Sequence, residues 1–324
     1  MHPTQKNKKR VEQKISDAKF LVTGGAGFLG SYVVEELINQ GVNKRNIFIP
    51  RSHEYDLRNE SIVNALTKNK DIIIHLAGNV GGIGKNLLYP GSLFYDNILM
   101  GVHIIHSAMK HKVKKTVILG TICAYPKFTP VPFKEEELWM GYPEETNAPY
   151  GLAKKMLLVQ SQAYRAQYGL NSIYLLPVNL YGPRDNFDPL SSHVIPALIR
   201  KIHYAIKNKS KEIEVWGDGS STREFLHVKD AARAIVLATK KYNKSNPLNI
   251  GSGKEISIKE LVEMVAKKMD YEGKIRWNTT KPNGQPRRLL DVSKAYKKIG
   301  FKAKIPFEQG LSETIEWYLQ HANK

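Results

Sequence analysis

Three side chains near the middle of the chain have the types and spacing that reduction of a ketone needs. Tyr150 and Lys154 are four positions apart in a segment that predicts a helix, so they share one face of it. A phenol ionises near pH ~10, and a neighbouring ammonium lets it act as an acid or base closer to neutrality. Thr121 follows a short apolar run and offers a further hydrogen bond to a substrate carbonyl oxygen. Together these residues predict hydride transfer to a ketone.

Cys123 adds a second kind of chemistry two positions after Thr121. A thiol beside a ketone-binding hydroxyl can move protons on the carbons that flank the ketone. The alternative for this cysteine is a small buried hydrophobic residue, and the alternative for His193 is a cap of the helix that begins at Val194. The residues alone leave these alternatives open.

These side chains must be positioned by a fold in which short apolar runs alternate with amphipathic stretches. That alternation begins at Lys19 and is typical of a parallel sheet with helices on both faces. The predicted strands are 20–22, 46–49, 71–75, 116–119, 172–176 and 248–250. The strongest predicted helices are 28–40, 92–111 and 149–168, and further helices are predicted near 194–208 and at 229–240. We predict an α/β fold, a Rossmann-type doubly wound parallel sheet with a smaller C-terminal α/β substrate domain.

A change of pattern after Leu180 to a loop rich in Pro, Asn and Asp marks the start of a second module. We predict a disordered basic tail over residues 1–18. The dinucleotide-binding domain is predicted to comprise 19–182 plus about 226–250, and the substrate domain about 183–225 plus 251–324.

Composition narrows the function class. The chain has 324 residues, 42% of them hydrophobic, which is enough for a sizeable core. A single cysteine excludes an intrachain disulfide, and neither a membrane span of about 18 apolar residues nor a secretory signal is evident, so we expect a cytoplasmic protein. The net charge of +19 raises the alternative of an RNA-binding scaffold, but the lysines are scattered without interleaved aromatic residues. We expect no nucleic acid, membrane or metal partner.

A glycine-rich loop, Thr23-Gly24-Gly25-Ala26-Gly27-Phe28-Leu29-Gly30, lies between a predicted strand and a predicted helix. This context indicates a site where backbone approaches the pyrophosphate of a dinucleotide at a helix N-terminus. After the second strand, Arg51 and Ser52 stand where a carboxylate would favour NAD, so they favour NADP. The cofactor contacts predicted from these segments are Gly24, Gly27, Phe28, Leu29, Gly30, Arg51, Ser52, Asp56, Leu57, Leu76, Ala77 and Gly78.

The ordered motifs of the chain resemble the extended short-chain dehydrogenase/reductase family and, within it, the GDP-L-fucose synthases. The resemblance rests on the glycine loop, Thr121, Tyr150 and Lys154, and it extends from about Lys19 to Tyr318. Further matching segments are Val80–Ile83, Thr121–Lys127, Asn147–Tyr150, Asn179–Pro183, Asp185–Phe187, Ser192–Leu198 and Arg223–Val228.

This resemblance implies NADPH-dependent epimerisation at C3 and C5 and reduction at C4 of GDP-4-keto-6-deoxy-D-mannose. It implies that Cys123 takes a proton and that His193 returns one from the other face. Thr121 and Tyr150 then stabilise the enolate oxygen, and Lys154 supplies the ammonium beside the phenol. It also implies cofactor contacts at Tyr150, Lys154, Pro177, Asn179, Leu180 and His193. The implied substrate contacts are Val80, Gly81, Gly82, Asn179, Lys201, Trp216, Arg223, Asn283 and Arg288.

Three residues depart from the family pattern. Ala26 stands where some members have a basic residue, Asn283 where some have an acid, and Lys201 where some have arginine. The first keeps NAD(H) open as the cofactor, and the others keep open a GDP-6-deoxy-heptose or a related GDP-hexose as the substrate. For Trp216, a place in the core is the alternative.

The resemblance also implies a homodimer that pairs through helices 92–111 and 149–168 as a four-helix interface. Apolar residues of these helices can face either the partner or the sheet, and the sequence leaves both open: Ile98, Val102, Ile105, Leu157 and Leu158.

Overall fold

The computed structural model describes residues 15–281 and 284–322. Its strands are β1 Phe20–Thr23, β2 Ile47–Phe48, β3 Ile72–His75, β4 Lys115–Leu119, β5 Ser172–Pro177, β6 Asn179–Tyr181, β7 Glu212–Trp216, β8 Thr222–His227, β9 Leu248–Ile250, β10 Glu255–Ser257 and β11 Lys274–Asn278. Its α-helices are α1 Phe28–Asn39, α2 Glu60–Thr67, α3 Ile83–Leu88, α4 Pro90–Lys110, α5 Ala148–Tyr168, α6 Val194–Lys207, α7 Val228–Lys241, α8 Ile258–Lys268, α9 Ser293–Ile299 and α10 Phe307–His321.

A six-stranded parallel sheet in the order β2-β1-β3-β4-β5-β9 forms the larger part of the fold. β1, β3 and β5 are buried along their whole length because helices cover both faces of the sheet. The chain goes from β1 to β2 on one side and then to β3 on the other. This reversal opens a crevice at the carboxyl ends of β1 and β3, where such sheets bind ligands. The predicted α/β Rossmann-type fold is confirmed.

Two smaller sheets form the second part of the fold. β6, β8 and β10 make a three-stranded mixed sheet, and β7 pairs with β11 in parallel. The apolar faces of α6, α8 and α10 pack around these strands and form a second hydrophobic core. The chain crosses between the two parts more than once, because α7 and β9 follow β8 but belong with the six-stranded sheet. The predicted domain ranges stay a prediction.

Most predicted elements lie within two residues of the observed ones. β2 is shorter than predicted because it is an edge strand that pairs with β1 over two residues only. Pro90 begins α4 two residues earlier than the apolar pattern indicated, as proline commonly does at a first helical turn. α5 ends at Gly169, whose positive φ of 71° closes the last turn.

The predicted tail falls mostly on residues 1–14, which lie outside the described residues. Its last four residues are described, and Ile15 and Ala18 are buried in the larger core. The predicted tail boundary at residue 18 is therefore too late, because two apolar side chains before it already contribute to the core.

Helices α4 and α5 pack against each other on one face of the large sheet. Gly101 permits their close approach, since an added Cβ there would overlap the side chain of Leu157. Ile105, Leu157 and Leu158 are fully buried within the protomer, whereas Ile98 and Val102 are half-buried. The first three therefore face the core rather than a partner. Among the described residues, no helix is long and apolar enough to cross a membrane.

Candidate active site

A cleft of about 1550 Å³ opens at the carboxyl ends of the large sheet and extends towards β7 and β8. Every described residue predicted to contact cofactor or substrate, or to act chemically, lines it except Lys154, which is buried. Asn283 lies outside the described residues. The structure therefore brings residues from nearly the whole chain to one cleft.

The glycine loop forms a tight turn against the segment that follows β3. Gly24 has a positive φ of 69°, and a Cβ added there would come within 2.7 Å of the Ala77 nitrogen. A Cβ on Gly30 would overlap the carbonyl oxygen of Gly24, so α1 approaches the loop too closely for a side chain. The helix begins after Gly27 without a side-chain cap, which leaves its first N–H groups available to an anion.

The ketone-reducing set predicted from sequence comes together at the end of β4 and the start of α5. The Thr121 hydroxyl hydrogen-bonds Tyr150 and accepts from the Cys123 N–H at 3.2 Å. α5 lies so close to the 3₁₀ turn at Ile122–Ala124 that a Cβ on Gly151 would overlap the Cys123 carbonyl oxygen. Glycine at this one position thus brings phenol, hydroxyl and thiol together.

Burial shifts the pKa values of Lys154 and Tyr150, two titratable groups of α5, in opposite directions. Desolvation lowers the pKa of Lys154 to about 8, because the ammonium is surrounded by protein. Desolvation and the nearby Cys123 raise the pKa of Tyr150, and the hydrogen bond from Thr121 opposes that rise. Gly78 lies beside both the lysine and Asn97, since a Cβ there would be 3.5 Å from Lys154 Nζ and 3.0 Å from Asn97 Oδ1. Gly78 and the uncapped start of α1 both line the cleft, as contact with a dinucleotide requires.

Cys123 lies on the wall of the cleft with a polar partner on each side. Its Sγ is 3.6 Å from Asn147 Oδ1 and 3.7 Å from Arg288 Nη1. The side chain is half-buried rather than enclosed. The thiol is thus accessible from the cleft, which argues against the alternative of an inert buried residue.

His193 approaches the cleft from the loop before α6. It occupies the N-cap position, but its side chain makes no cap hydrogen bond, so the alternative of a helix cap is wrong. The His193 side chain is open to solvent on the side of the cleft. The surrounding protein still desolvates the imidazole, and this desolvation, together with the charge of Arg288, lowers its pKa. Gly82 sets the position of this loop, because a Cβ there would overlap the Ser192 carbonyl oxygen.

Two arginines reach the cleft from the second part of the fold. Arg288 is buried, and Gln285 accepts from its Nε at 2.9 Å while donating to the carbonyl oxygens of Pro126 and Lys127. Burial and the neighbouring Arg288 lower the pKa of Arg223 to about 9. These guanidiniums are suited to a diphosphate, which their planar forks bind through two oxygens.

The other predicted substrate contacts are less uniform. Trp216 is 44% exposed at the end of β7, with Lys281 Nζ 5.5 Å from its ring centroid, so it is not a core residue. The Lys201 ammonium donates to the Glu214 carbonyl oxygen at 2.5 Å. In this structure Lys201 is therefore held against β7 at the edge of the cleft.

Sequence reasoning missed a polar cluster behind Cys123. Asn147 falls within the matching segment 147–150, whereas Asn86, Glu144 and Gln285 fall within none of the matching segments. All four are buried and hydrogen-bonded near the thiol. Their only sequence signal is a polar residue type within otherwise buried segments, which a single chain does not distinguish from a loop.

Comparison with known proteins agrees with this geometry. Residues 20–251 match the model of a family described as "NAD dependent epimerase/dehydratase family". The chain belongs to that family. Its match covers the large sheet, the glycine loop and the Thr121, Tyr150 and Lys154 set. The NAD dependent epimerase/dehydratase family is an NAD(P)-binding Rossmann family, which confirms the predicted cofactor class and the resemblance to extended short-chain dehydrogenases/reductases.

Individual relatives of this family are similar over nearly the full length. GDP-L-fucose synthase 1 of Arabidopsis thaliana is 42% identical over 306 residues, which are 94% of this chain and 94% of that protein. A GDP-6-OMe-4-keto-L-xylo-heptose reductase from C. jejuni superposes with a TM-score of 0.88 at 29% identity, covering 94% of this chain and 98% of that one. A GDP-L-fucose synthetase from Naegleria fowleri bound to NADP gives 0.84 at 27% identity, covering 95% and 96%.

Gly30→Ala is expected to weaken dinucleotide binding by at least roughly tenfold, or about 1.4 kcal/mol. The added Cβ would overlap the Gly24 carbonyl oxygen and push α1 away from the loop. Titration calorimetry with NADP and NAD measures the loss. Gly91→Ala is the matched control, because no heavy atom lies within 4 Å of a Cβ added there. Unchanged affinity in Gly30→Ala would contradict the assignment of this loop.

Proposed function

We propose that this protein converts GDP-4-keto-6-deoxy-D-mannose to GDP-L-fucose by epimerisation at C3 and C5 and reduction at C4. The observation that carries the proposal is the placement of the Cys123 thiol beside the Thr121 and Tyr150 hydroxyls in one cleft. The full-length similarity to GDP-L-fucose synthases supports it.

The chemistry follows from the ketone at C4. Carbon-bound protons at C3 and C5 are acidified because their removal gives an enolate whose oxygen carries the charge. In the proposed reaction Cys123 removes these protons, His193 returns protons, and Thr121 and Tyr150 donate hydrogen bonds to the enolate oxygen. The lowered pKa of His193 makes its imidazolium a stronger acid for that return.

The same oxygen is the site of reduction. A bound nicotinamide dinucleotide would supply a hydride to C4. Tyr150 would then give its proton to the C4 oxygen, and the Lys154 ammonium would stabilise the phenolate that this leaves. We propose NADPH rather than NADH as the dinucleotide, because Arg51 and Ser52 follow β2 at the rim of the cleft. A structural neighbour crystallised with NADP supports this choice.

Arg223 and Arg288 are proposed to bind the diphosphate and Trp216 to contact the guanine or sugar. Lys201, which donates to the Glu214 carbonyl oxygen, would lie at the edge of that site. A second candidate substrate is a GDP-heptose, which the similarity to a heptose reductase favours.

Incubation with GDP-4-keto-6-deoxy-D-mannose in deuterated water tests the proposal directly. We expect deuterium at C3 and C5, a GDP-L-fucose product identified by NMR, and faster turnover with NADPH than with NADH. Cys123→Ala should lower deuterium incorporation by roughly 10²-fold or more, since it removes the base. It should still reduce a ketone that is already epimerised. Absence of deuterium from the product of the unaltered enzyme would exclude the epimerase half, and turnover only with a GDP-heptose would favour the second candidate.

The reduction step should depend on the protonation of Lys154. Its pKa of about 8 means that the ammonium is lost as the pH rises through that value, so the rate of reduction should fall there. Lys154→Arg keeps a positive charge well above pH ~12 and should remove this alkaline decline, although the rate itself falls. The measurement is single-turnover reduction of the pre-epimerised ketone across about pH 6.5 to 9.5. If both enzymes showed the same alkaline decline, the decline would come from a titratable group other than residue 154.

We further propose a homodimer that pairs through α4 and α5. Both helices carry large side chains at their outer surface, including Tyr95, Val159 and Tyr168, which are 58%, 44% and 50% exposed. Val159→Glu should place a charge in the buried interface and shift the protein to monomer, as measured by light scattering after gel filtration. A monomeric unaltered protein would contradict the proposal, and Gln167→Glu near the end of α5 is the control.

A further inference from the structure

A cluster of buried polar side chains lies behind Cys123 and takes no part in the chemistry proposed above. The part of this cluster that surrounds Asn147 consists of Asn86 in α3, and Glu144 and Thr146 just before α5. Glu144, Asn147 and Asn86 are all less than one-tenth exposed. A carboxylate buried at this depth beside a reactive thiol needs an explanation, because burying it is costly unless its oxygens are hydrogen-bonded.

The hydrogen bonds of this cluster fix the orientation of the Asn147 amide. The Glu144 carboxylate accepts from Asn147 Nδ2, and it also accepts from Thr146 Oγ1 at 2.6 Å. Asn86 Nδ2 donates to Asn147 Oδ1 at 3.1 Å. A carboxylate oxygen can only accept, so the Asn147 nitrogen must face Glu144. The oxygen of that amide is therefore the atom directed at Cys123 Sγ, 3.6 Å away.

The thiol thus lies between two partners with opposite preferences. Arg288 Nη1 can donate to sulfur and stabilises the thiolate, which is the form that removes a proton from carbon. Asn147 Oδ1 can only accept, so it stabilises the protonated thiol that results. An acceptor for the new S–H favours proton transfer to sulfur in the same step that forms the enolate.

Charge acts on the thiol in the same direction. The ionisable groups that interact with the thiol or with its neighbours are Tyr150 from α5, Arg223 from β8, Arg288 from the segment beside β8, and His193 from the loop before α6. Arg223 interacts electrostatically with both Cys123 and Glu144. The negative charge of Glu144 therefore offsets part of the positive charge that Arg223 and Arg288 place near the sulfur.

We propose that Glu144 is a positioning residue for the Cys123 base: through Asn147 it directs an acceptor oxygen at the sulfur, and it keeps the sulfur basic enough to take a proton from carbon. The catalytic consequence rests on the proposed epimerisation. The effect on the thiol itself is independent of the proposed function, because it concerns only the hydrogen bonds and charges around the sulfur.

Titration of the thiol tests the effect on sulfur without any substrate. Cys123 is the only cysteine in the chain, so the rate of alkylation by iodoacetamide against pH reports this thiol alone. Glu144→Gln removes the charge but keeps an oxygen that can accept from Asn147, and Glu144→Ala also frees the amide to turn its nitrogen to sulfur. We expect the thiol pKa to fall in both, by about one unit in Glu144→Ala, a tenfold increase in the thiolate-to-thiol ratio.

The neighbouring carboxylate supplies the matched control. Glu145 pairs with Lys127 at 2.9 Å and its side chain is 67% exposed, so Glu145→Ala should leave the thiol pKa unchanged. If Glu144→Ala does not fold, as judged by circular dichroism, Glu144→Gln decides the outcome. A thiol pKa that is unchanged or raised in Glu144→Gln overturns the proposal, whatever the substrate proves to be.

Kinetics separate positioning from a merely structural role. At a pH where the thiolate predominates in both enzymes, deuterium exchange at C3 and C5 should be roughly tenfold slower in Glu144→Ala, because each thiolate is then less basic and less well oriented for proton transfer. Reduction of the pre-epimerised ketone should stay within about threefold of the unaltered enzyme, because Thr121 and Tyr150 are untouched. An equal loss of both activities overturns the positioning role. Absence of exchange in the unaltered enzyme would instead count against the proposed function, and the thiol titration would still decide the role of Glu144.

Discussion

The close approach of α5 to the turn after β4 is the constraint on which this site depends. A Cβ at Gly151 would overlap the Cys123 carbonyl oxygen, so the helix reaches the turn only because residue 151 has no side chain. The preceding residue, Tyr150, thereby comes within hydrogen-bonding reach of Thr121. The buried packing of α5 against α4, with Gly101 facing Leu157, holds the helix in that position. Backbone contacts, rather than the reactive side chains themselves, thus set the distances between them.

A second buried carboxylate has a comparable effect on the substrate end of the cleft. Glu224 accepts from the backbone N–H groups of Ser252 at 2.5 Å, Gly253 at 2.7 Å and Leu290 at 2.7 Å. Its own N–H donates to the Arg288 carbonyl oxygen at 3.0 Å. Burial raises the pKa of Glu224 to about 7, and these N–H donors oppose the rise. This residue fastens the segment that carries Arg288 to β8, which carries Arg223, and so fixes the backbone from which both guanidiniums extend.

The sequence predicted those parts of the fold and site that depend on local pattern. Tyr150 and Lys154 share a helix face, Thr121 ends a strand, and the glycine loop joins a strand to a helix, so periodicity and spacing located them. The large sheet followed from its apolar runs. Contacts between residues far apart in the sequence could not be predicted in this way. Arg288 and Cys123 are 165 positions apart, and no local pattern indicates that a guanidinium from the segment beside β8 reaches the thiol.

One physical reason explains why Glu144 and Asn147 could not be recognised from the sequence as parts of the site. The spacing of Glu144 and Asn147 is compatible with an ordinary polar loop, and only the burial of that loop turns it into an oriented network. Lys201 shows the converse, because its charge suits a diphosphate in sequence terms, yet the structure places a carbonyl oxygen against it. The residue type thus determines which hydrogen bonds a polar side chain can make. Its chemical role depends on which of these bonds are still available once the neighbouring groups have formed theirs. For Cys123 the neighbours leave one acceptor and one donor at the sulfur, and this pairing suits a group that must both lose and regain a proton within one catalytic cycle.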